Sequence, residues 1–303
     1  MKKVFYLPLV VILLSIICSK TAFSQTAAVD TIGDLKSVKK ASIKFGVNYL
    51  SNSVYLGRAD TVKTPIIEPE VKYTFKNGIY FSGNLEYIPN RATSPLDAGS
   101  LSGGYDFDIN DDWSAGVSYT KLFYNAASTQ IGSAIGSTIN ANMDYDIADI
   151  ITPSLSIDYN LLKQGFGSDI LINAGLAHDF AKIGIFTSSD IGIISPTVTM
   201  NAGTQNFYDA YFTLKKYKLT AKGKAKEAAA EKLILKRKAQ LSQFNMLDYE
   251  LSSPVEYKAG PVILSFTPTY AFAVHNLPPR ISNAMVNTSN GLFYFEVGAS
   301  LKF

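Results

Sequence analysis

The chain has 303 residues, 47% of them hydrophobic, and a formal charge of +3. Setting aside Lys2, Lys3 and Lys20 from the 28 basic residues leaves as many as the 25 acidic ones, so the rest of the chain is neutral and gives no reason to expect a nucleic-acid partner. The one cysteine, Cys18, lies near the start, which excludes disulfides, a thiol nucleophile or a thiolate metal site beyond it.

Met1-Lys2-Lys3 is a short basic segment, and Val4 to Ile17 is apolar apart from Pro8 and Ser15. Ala22-Phe23-Ser24 places small residues where a signal peptidase reads, so residues 1–24 read as a signal peptide cut between Ser24 and Gln25. Ile16 and Ile17 stand before Cys18 where a lipoprotein anchor needs a small residue, so lipidation is not expected. Residues 25–40 are polar and small and read as a periplasmic leader.

From residue 41 the pattern is period two. Strand one alternates Ile43, Phe45, Val47 and Tyr49 with Lys44, Gly46 and Asn48. Strand two carries Ile67, Val71, Tyr73 and Phe75, and Lys76-Asn77-Gly78 is a tight-hairpin signal before Ile79, Phe81, Leu85 and Tyr87. Strands four to seven follow through Leu101–Ile109, Trp113–Phe123, Ile139–Ile147 and Ile151–Tyr159. Strand eight, with Ile170, Ile172, Ala174, Leu176 and Phe180, shifts to even parity. Val198, Met200 and Ala202 mark strand nine, and Leu247, Tyr249, Leu251, Val255 and Tyr257 mark strand ten. Val262, Leu264, Phe266, Tyr270 and Phe272 mark strand eleven.

Connections near residues 77, 111, 149 and 259 are brief, whereas those at 51–65, 88–99, 124–137, 203–244 and 275–290 are longer. That asymmetry is expected of a membrane barrel with short periplasmic turns and long outer loops. Two connections break it: 162–168 is short for an outer loop, and 181–195 is long enough to hide another strand pair. Beyond the leader no apolar segment is long enough for a spanning helix, so an integral membrane protein of this sequence has to span as a closed barrel. The fold expected for 41–303 is an all-β, transmembrane antiparallel β-barrel of about twelve strands, with ten to fourteen allowed.

The last thirteen residues, GLFYFEVGASLKF, alternate Phe293, Phe295, Val297, Ala299, Leu301 and Phe303 with Tyr294, Glu296, Gly298, Ser300 and Lys302. This end resembles the closing strand of Gram-negative outer-membrane β-barrel proteins, a porin-like family with a C-terminal Phe insertion signal. Gly298, Leu301 and Phe303 occupy its last defined slots, and Val297 stands where a polar residue is preferred. The resemblance implies an outer-membrane location, with outer-membrane lipids and the barrel-assembly machinery as partners.

Opposite the apolar faces stand Lys44, Glu70, Lys72, Glu86, Asp106, Asp108, Asp144, Asp146, Asp158, Asp248, Glu250, Glu256, Glu296 and Lys302, eleven acidic against three basic. Charged walls of a wet pore set ion preference, so Glu70, Glu86, Asp144, Asp158, Asp248, Glu250 and Glu296 are candidate lumen acids. The alternative is that the acids at strand ends only solvate the periplasmic rim. Leu214 to Gln240 carries ten basic residues against Glu227 and Glu231. Lys222, Lys224, Lys226, Lys232, Lys236, Arg237 and Lys238 are candidates for contact with lipid phosphates, or for folding over the lumen.

The two histidines give little chemistry: His178 falls on the lipid-facing parity and His275 opens an outer loop. An outer-membrane phospholipase resembles this chain in size and strand number, but its serine follows the histidine by two positions, where Phe180 stands here. No cofactor, metal site or enzyme is expected. The function expected is a passive channel for an unknown small solute with weak cation preference. The alternatives are a non-conducting surface barrel that binds a partner or lipid through its loops and, less favoured, a lipase or protease.

Overall fold

The computed structural model describes residues 40–60, 62–89, 91, 94–148, 150–163, 167–208, 239–274 and 291–303. Residues 1–39, with Ser24 and Gln25, and the basic residues from Lys222 to Lys238 lie outside them, as does His275. The alternating segments form one antiparallel sheet that closes on itself. Its strands are β1 Ser42–Leu50, β2 Ile66–Thr74, β3 Ile79–Tyr87, β4 Leu96–Asp108, β5 Trp113–Tyr124, β6 Ile135–Tyr145 and β7 Thr152–Leu162. There follow β8 (Ser168–Ala177, continued as Phe180–Ile183), β9 (Ile191–Ile194, continued as Thr197–Gly203) and β10 (Asn245–Ser252, continued as Val255–Ala259). Val262–Ala273 is β11 and Leu292–Lys302 is β12.

The barrel therefore has twelve strands, and the connection at 181–195 hides no additional pair crossing the wall. Phe180–Ile183 and Ile191–Ile194 lengthen β8 and β9, because the register is the same on both sides of each break: Ala177 faces Thr197, and Phe180 faces Ile194. Prolines cause the interruptions. Pro196 and Pro254 have no N–H to give the ladder, and the breaks in β8, β9 and β10 fall side by side around them.

Closure joins β1 to β12, from Lys44 opposite Lys302 to Leu50 opposite Glu296. At its end the Ile43 N–H donates to the Phe303 carbonyl (3.0 Å) and the Phe303 N–H returns to Ile43 (2.9 Å). The short turns share this end of the barrel. At one of them Gly78 has φ 88° and lies where a Cβ would come within 2.0 Å of the Asp106 carbonyl oxygen, so the Asn77-Gly78 signal is required twice over.

Polarity is inside out relative to a soluble barrel. Phe45, Val71, Phe81, Leu101, Val117, Ile139, Ile157, Leu176, Val198, Tyr249, Phe266 and Phe293, one from each strand, are exposed on the outer face. Asn84, Ser100, Thr138, Asn173, Thr199, Glu250, Thr269 and Ser300 are buried on the inner one. Such an apolar band around a closed sheet is stable against hydrocarbon rather than water, so the barrel spans a membrane. Rings gather at the turn end, where Trp113 stacks on Tyr145 (4.4 Å) and Tyr105 on Phe107 (5.1 Å), as an interfacial girdle requires.

One residue departs from the expected parity. Leu247 does not join Tyr249 and Leu251 on the outer face: the pairing slips between Asn201 and Ala202, and Leu247 is left without a partner opposite it. The extra residue turns it inward, into an apolar cluster at the loop end.

A narrowed acidic lumen as the candidate functional site

All seven acids named as lumen candidates face inward. Glu86, Asp144, Asp158, Asp248 and Glu250 are buried, and Glu70 and Glu296 are half-buried. The register assembles part of the wall into a continuous polar row. Asp106 lies opposite Gly116, then Asn142, Ser156, Asn173, Asn201 and Asp248, one step on each strand from β4 to β10. Beside it the Asn140 amide donates to Asp158 (2.6 Å), and the Asn173 amide donates to Asp158 (3.1 Å) and Ser156 (3.0 Å). Small residues make room for these groups: a Cβ on Gly116 would come within 2.8 Å of an Asp106 oxygen.

Cations offset part of this charge. Lys44 lies 3.6 Å from Glu70, Lys72 3.5 Å from Asp106 and Lys258 2.9 Å from Glu256. Lys72 also sits over the Tyr80 ring (4.1 Å). Lys258 has the parity of Glu256 and so adds a lumen base that the alternation of strand ten already implied.

At the loop end the passage narrows. Connection 51–65 turns inward as a two-residue-stranded hairpin, Val54–Tyr55 against Arg58–Ala59. Its tip, Leu56-Gly57, takes φ values of 50° and 70°, the pair of positive angles that a two-residue hairpin turn of this hand needs. Gly57 reaches the far wall, where a Cβ would meet that of Asp248 at 2.8 Å. Tyr55 and Leu56 pack with Ile131, Phe207, Tyr208 and Leu241 from other connections and with Leu122, Leu171 and Leu247 from the wall. The Tyr55 and Phe207 rings meet edge to face at 5.0 Å. Burial, and then the negative charges of Asp158, Asp169 and Asp248 nearby, hold the Tyr55 hydroxyl well above its ordinary pKa, so it stays protonated among carboxylates.

Two buried carboxylates tie the inward connections to the wall. Asp97 accepts from Arg91, from the Ser128 hydroxyl (2.7 Å) and from the Gln130 amide (2.8 Å). Gln130 also donates to Glu86 and accepts from the Ser53 hydroxyl (3.2 Å), joining the connections before β2 and after β5. Asp169 accepts from the Thr204 hydroxyl (2.6 Å) and from the N–H groups of Asn206 and Phe207 (2.7 and 2.8 Å), which fixes the helical turn carrying Phe207 and Tyr208.

Sequence reasoning missed Glu68, Asp97 and Asp169. Glu68 shares the parity of Glu70, and Asp169 that of Leu171 and Asn173, so alternation could have found both. Asp97 sits where the pairing shifts between Glu86 and Tyr87, and an inserted residue leaves no period to read. The three residues expected from the sequence to signal insertion divide between the faces: Gly298 is buried between Asn48 and Ser265, whereas Leu301 and Phe303 are on the lipid side. His178 also faces outward, its ring edge-on to Phe180 at 4.2 Å.

No family model and no curated protein matches the sequence. Solved structures with similar folds include the KdgM porin (TM-score 0.45, 9% identity, covering 86% of this chain and 99% of that one). An outer membrane channel from Pseudomonas putida F1 gives 0.45 at 12% identity, covering 89% and 98%. The NanC porin gives 0.43 at 11% identity, covering 86% and 100%. The strand order and outer face of this chain identify it, on their own terms, as a twelve-stranded transmembrane β-barrel.

Proposed function

We propose that the protein is an outer-membrane channel for small polar solutes, with a weak preference for cations and a loop end narrowed by its own first connection. The observation that carries this reading is the chemistry of the wall. Asn48, Thr199 and Ser300 are buried on the inner face, and among the described residues their side-chain polar atoms have no partner. A lumen packed shut by side chains would leave each at a cost of about 1–3 kcal/mol, whereas water or a passing polar solute satisfies them. The surplus of inward carboxylates supports the cation preference, since a wall of one sign concentrates counter-ions.

The apolar cluster at the loop end favours a second reading, a non-conducting barrel that works through its outer surface. Recording from the refolded protein in a planar bilayer separates the two. Stepwise conductance, with a reversal potential in a KCl gradient displaced toward that of potassium, supports the channel. A folded barrel that never conducts, even without the Val54–Ala59 hairpin, rejects it.

A further inference from the structure

We propose that the tip of the β8–β9 hairpin is a lipid-binding wedge that seats Phe186 in the phospholipid leaflet at the turn end of the barrel. The wall below the proline breaks is longer than a periplasmic turn requires, and residues 184–190 do not continue straight out of it. They fold back over the outer face. Gly192 and Tyr257 are opposite one another and share the outward parity of Ile194 and Val255. Ile185 lies on Gly192, so close that a Cβ there would come within 2.2 Å of its Cδ1. Phe186 meets the Tyr257 ring edge-on at 5.6 Å.

Asp190 builds this turn. Its carboxylate accepts the N–H groups of Ile185 (2.7 Å), Phe186 (2.9 Å) and Thr187 (2.9 Å) and the Tyr257 hydroxyl (2.7 Å). Its carbonyl accepts the N–H of Gly184 (2.9 Å), a residue held at φ 77°. A tip fixed by so many bonds nevertheless leaves Phe186 81% and Ile185 41% exposed. Water gives no reason to pre-organise an outward phenylalanine, and on the outward parity the patch runs from Phe186 and Ile185 over Tyr257 and Gly192 to the lipid-facing Val255 and Ile194, with Lys182 beside it opposite Gly192. An aromatic ring beside a tyrosine at the rim is the composition of a membrane interface. Continuity with that band selects lipid as the occupant. The inference rests on the barrel spanning a membrane, and holds whether or not the lumen conducts.

The test places an environment-sensitive fluorophore on Phe186→Cys, and for comparison on Ser189→Cys, in the full chain with Cys18→Ser, refolded into vesicles of phosphatidylethanolamine and phosphatidylglycerol. Blue-shifted emission at 186, quenched several-fold more strongly by a lipid-borne nitroxide than at 189, is the expected result. Adding Asp190→Ala should abolish the difference while the barrel keeps its heat-modifiable migration on gels. Equal access of both positions to a water-soluble quencher in these vesicles overturns the proposal. Protection of 186 that appears only in whole cells also overturns it, in favour of a periplasmic protein partner.

Discussion

Asp97 shows what a single side chain can hold at the loop end. It is completely buried and anchors Arg91, Ser128 and Gln130 at once. Asp97→Ala should destabilise the refolded barrel by roughly 3 kcal/mol in urea titration, because it strands a guanidinium in a partly buried site. Asp97→Asn should cost less, since the amide still accepts from Ser128. At the other end, burial raises the Asp190 carboxyl, but the bonds from Tyr257, Phe186, Thr187 and Ile185 outweigh this and hold it down to about 2. Its folded value is below the ordinary carboxylate value of about 3.9, so its contribution is present above that pH and is lost as the pH falls through about 2. The Phe186 fluorophore should therefore stay blue-shifted at pH 4 and move to aqueous emission on titration toward pH 2.

For whole strands the governing rule is alternation. Val117 faces outward and its neighbour Ser118 inward, each in register between β4 and β6. Val117→Arg should impair folding into vesicles by about 2–4 kcal/mol, the cost of a cation near the bilayer midplane, while Ser118→Arg should fold nearly normally. Equal yields of the two would contradict the assigned faces. The same periodicity explains why so much of the barrel was legible in the sequence. Each strand repeats one pattern, and Asn77-Gly78 announces its own turn. The rest was not legible, because Leu247 and Asp97 sit where one extra residue resets the period, and because the lengthened β8–β9 hairpin is recognisable only once the register across Pro196 is known. The inward fold of the first connection depends on contacts with the far wall, which no local spacing encodes.

The molecule as a whole is a negatively lined tube with an apolar collar at one mouth. Deleting Val54–Ala59 removes Tyr55 and Leu56 from that collar, and the cation of Arg58 with them, and is expected to raise single-channel conductance. The shift of reversal potential toward potassium should also grow, most clearly at low salt, where screening of the wall charges is weakest. Unchanged conductance would place the constriction elsewhere.

The seam between β1 and β12 has a consequence in time. Ile43 and Phe303 hold each other's backbones although every other strand of the barrel lies between them in the chain. Until that seam forms, β1 and β12 are the two open edges of a curved sheet, ready to pair with a neighbour instead of with each other. Phe303→Asp, or its deletion, should accordingly cut the outer-membrane yield on cell fractionation and leave chain in the periplasm, since deletion removes the end bonds of the seam and Asp puts a charge on its lipid side.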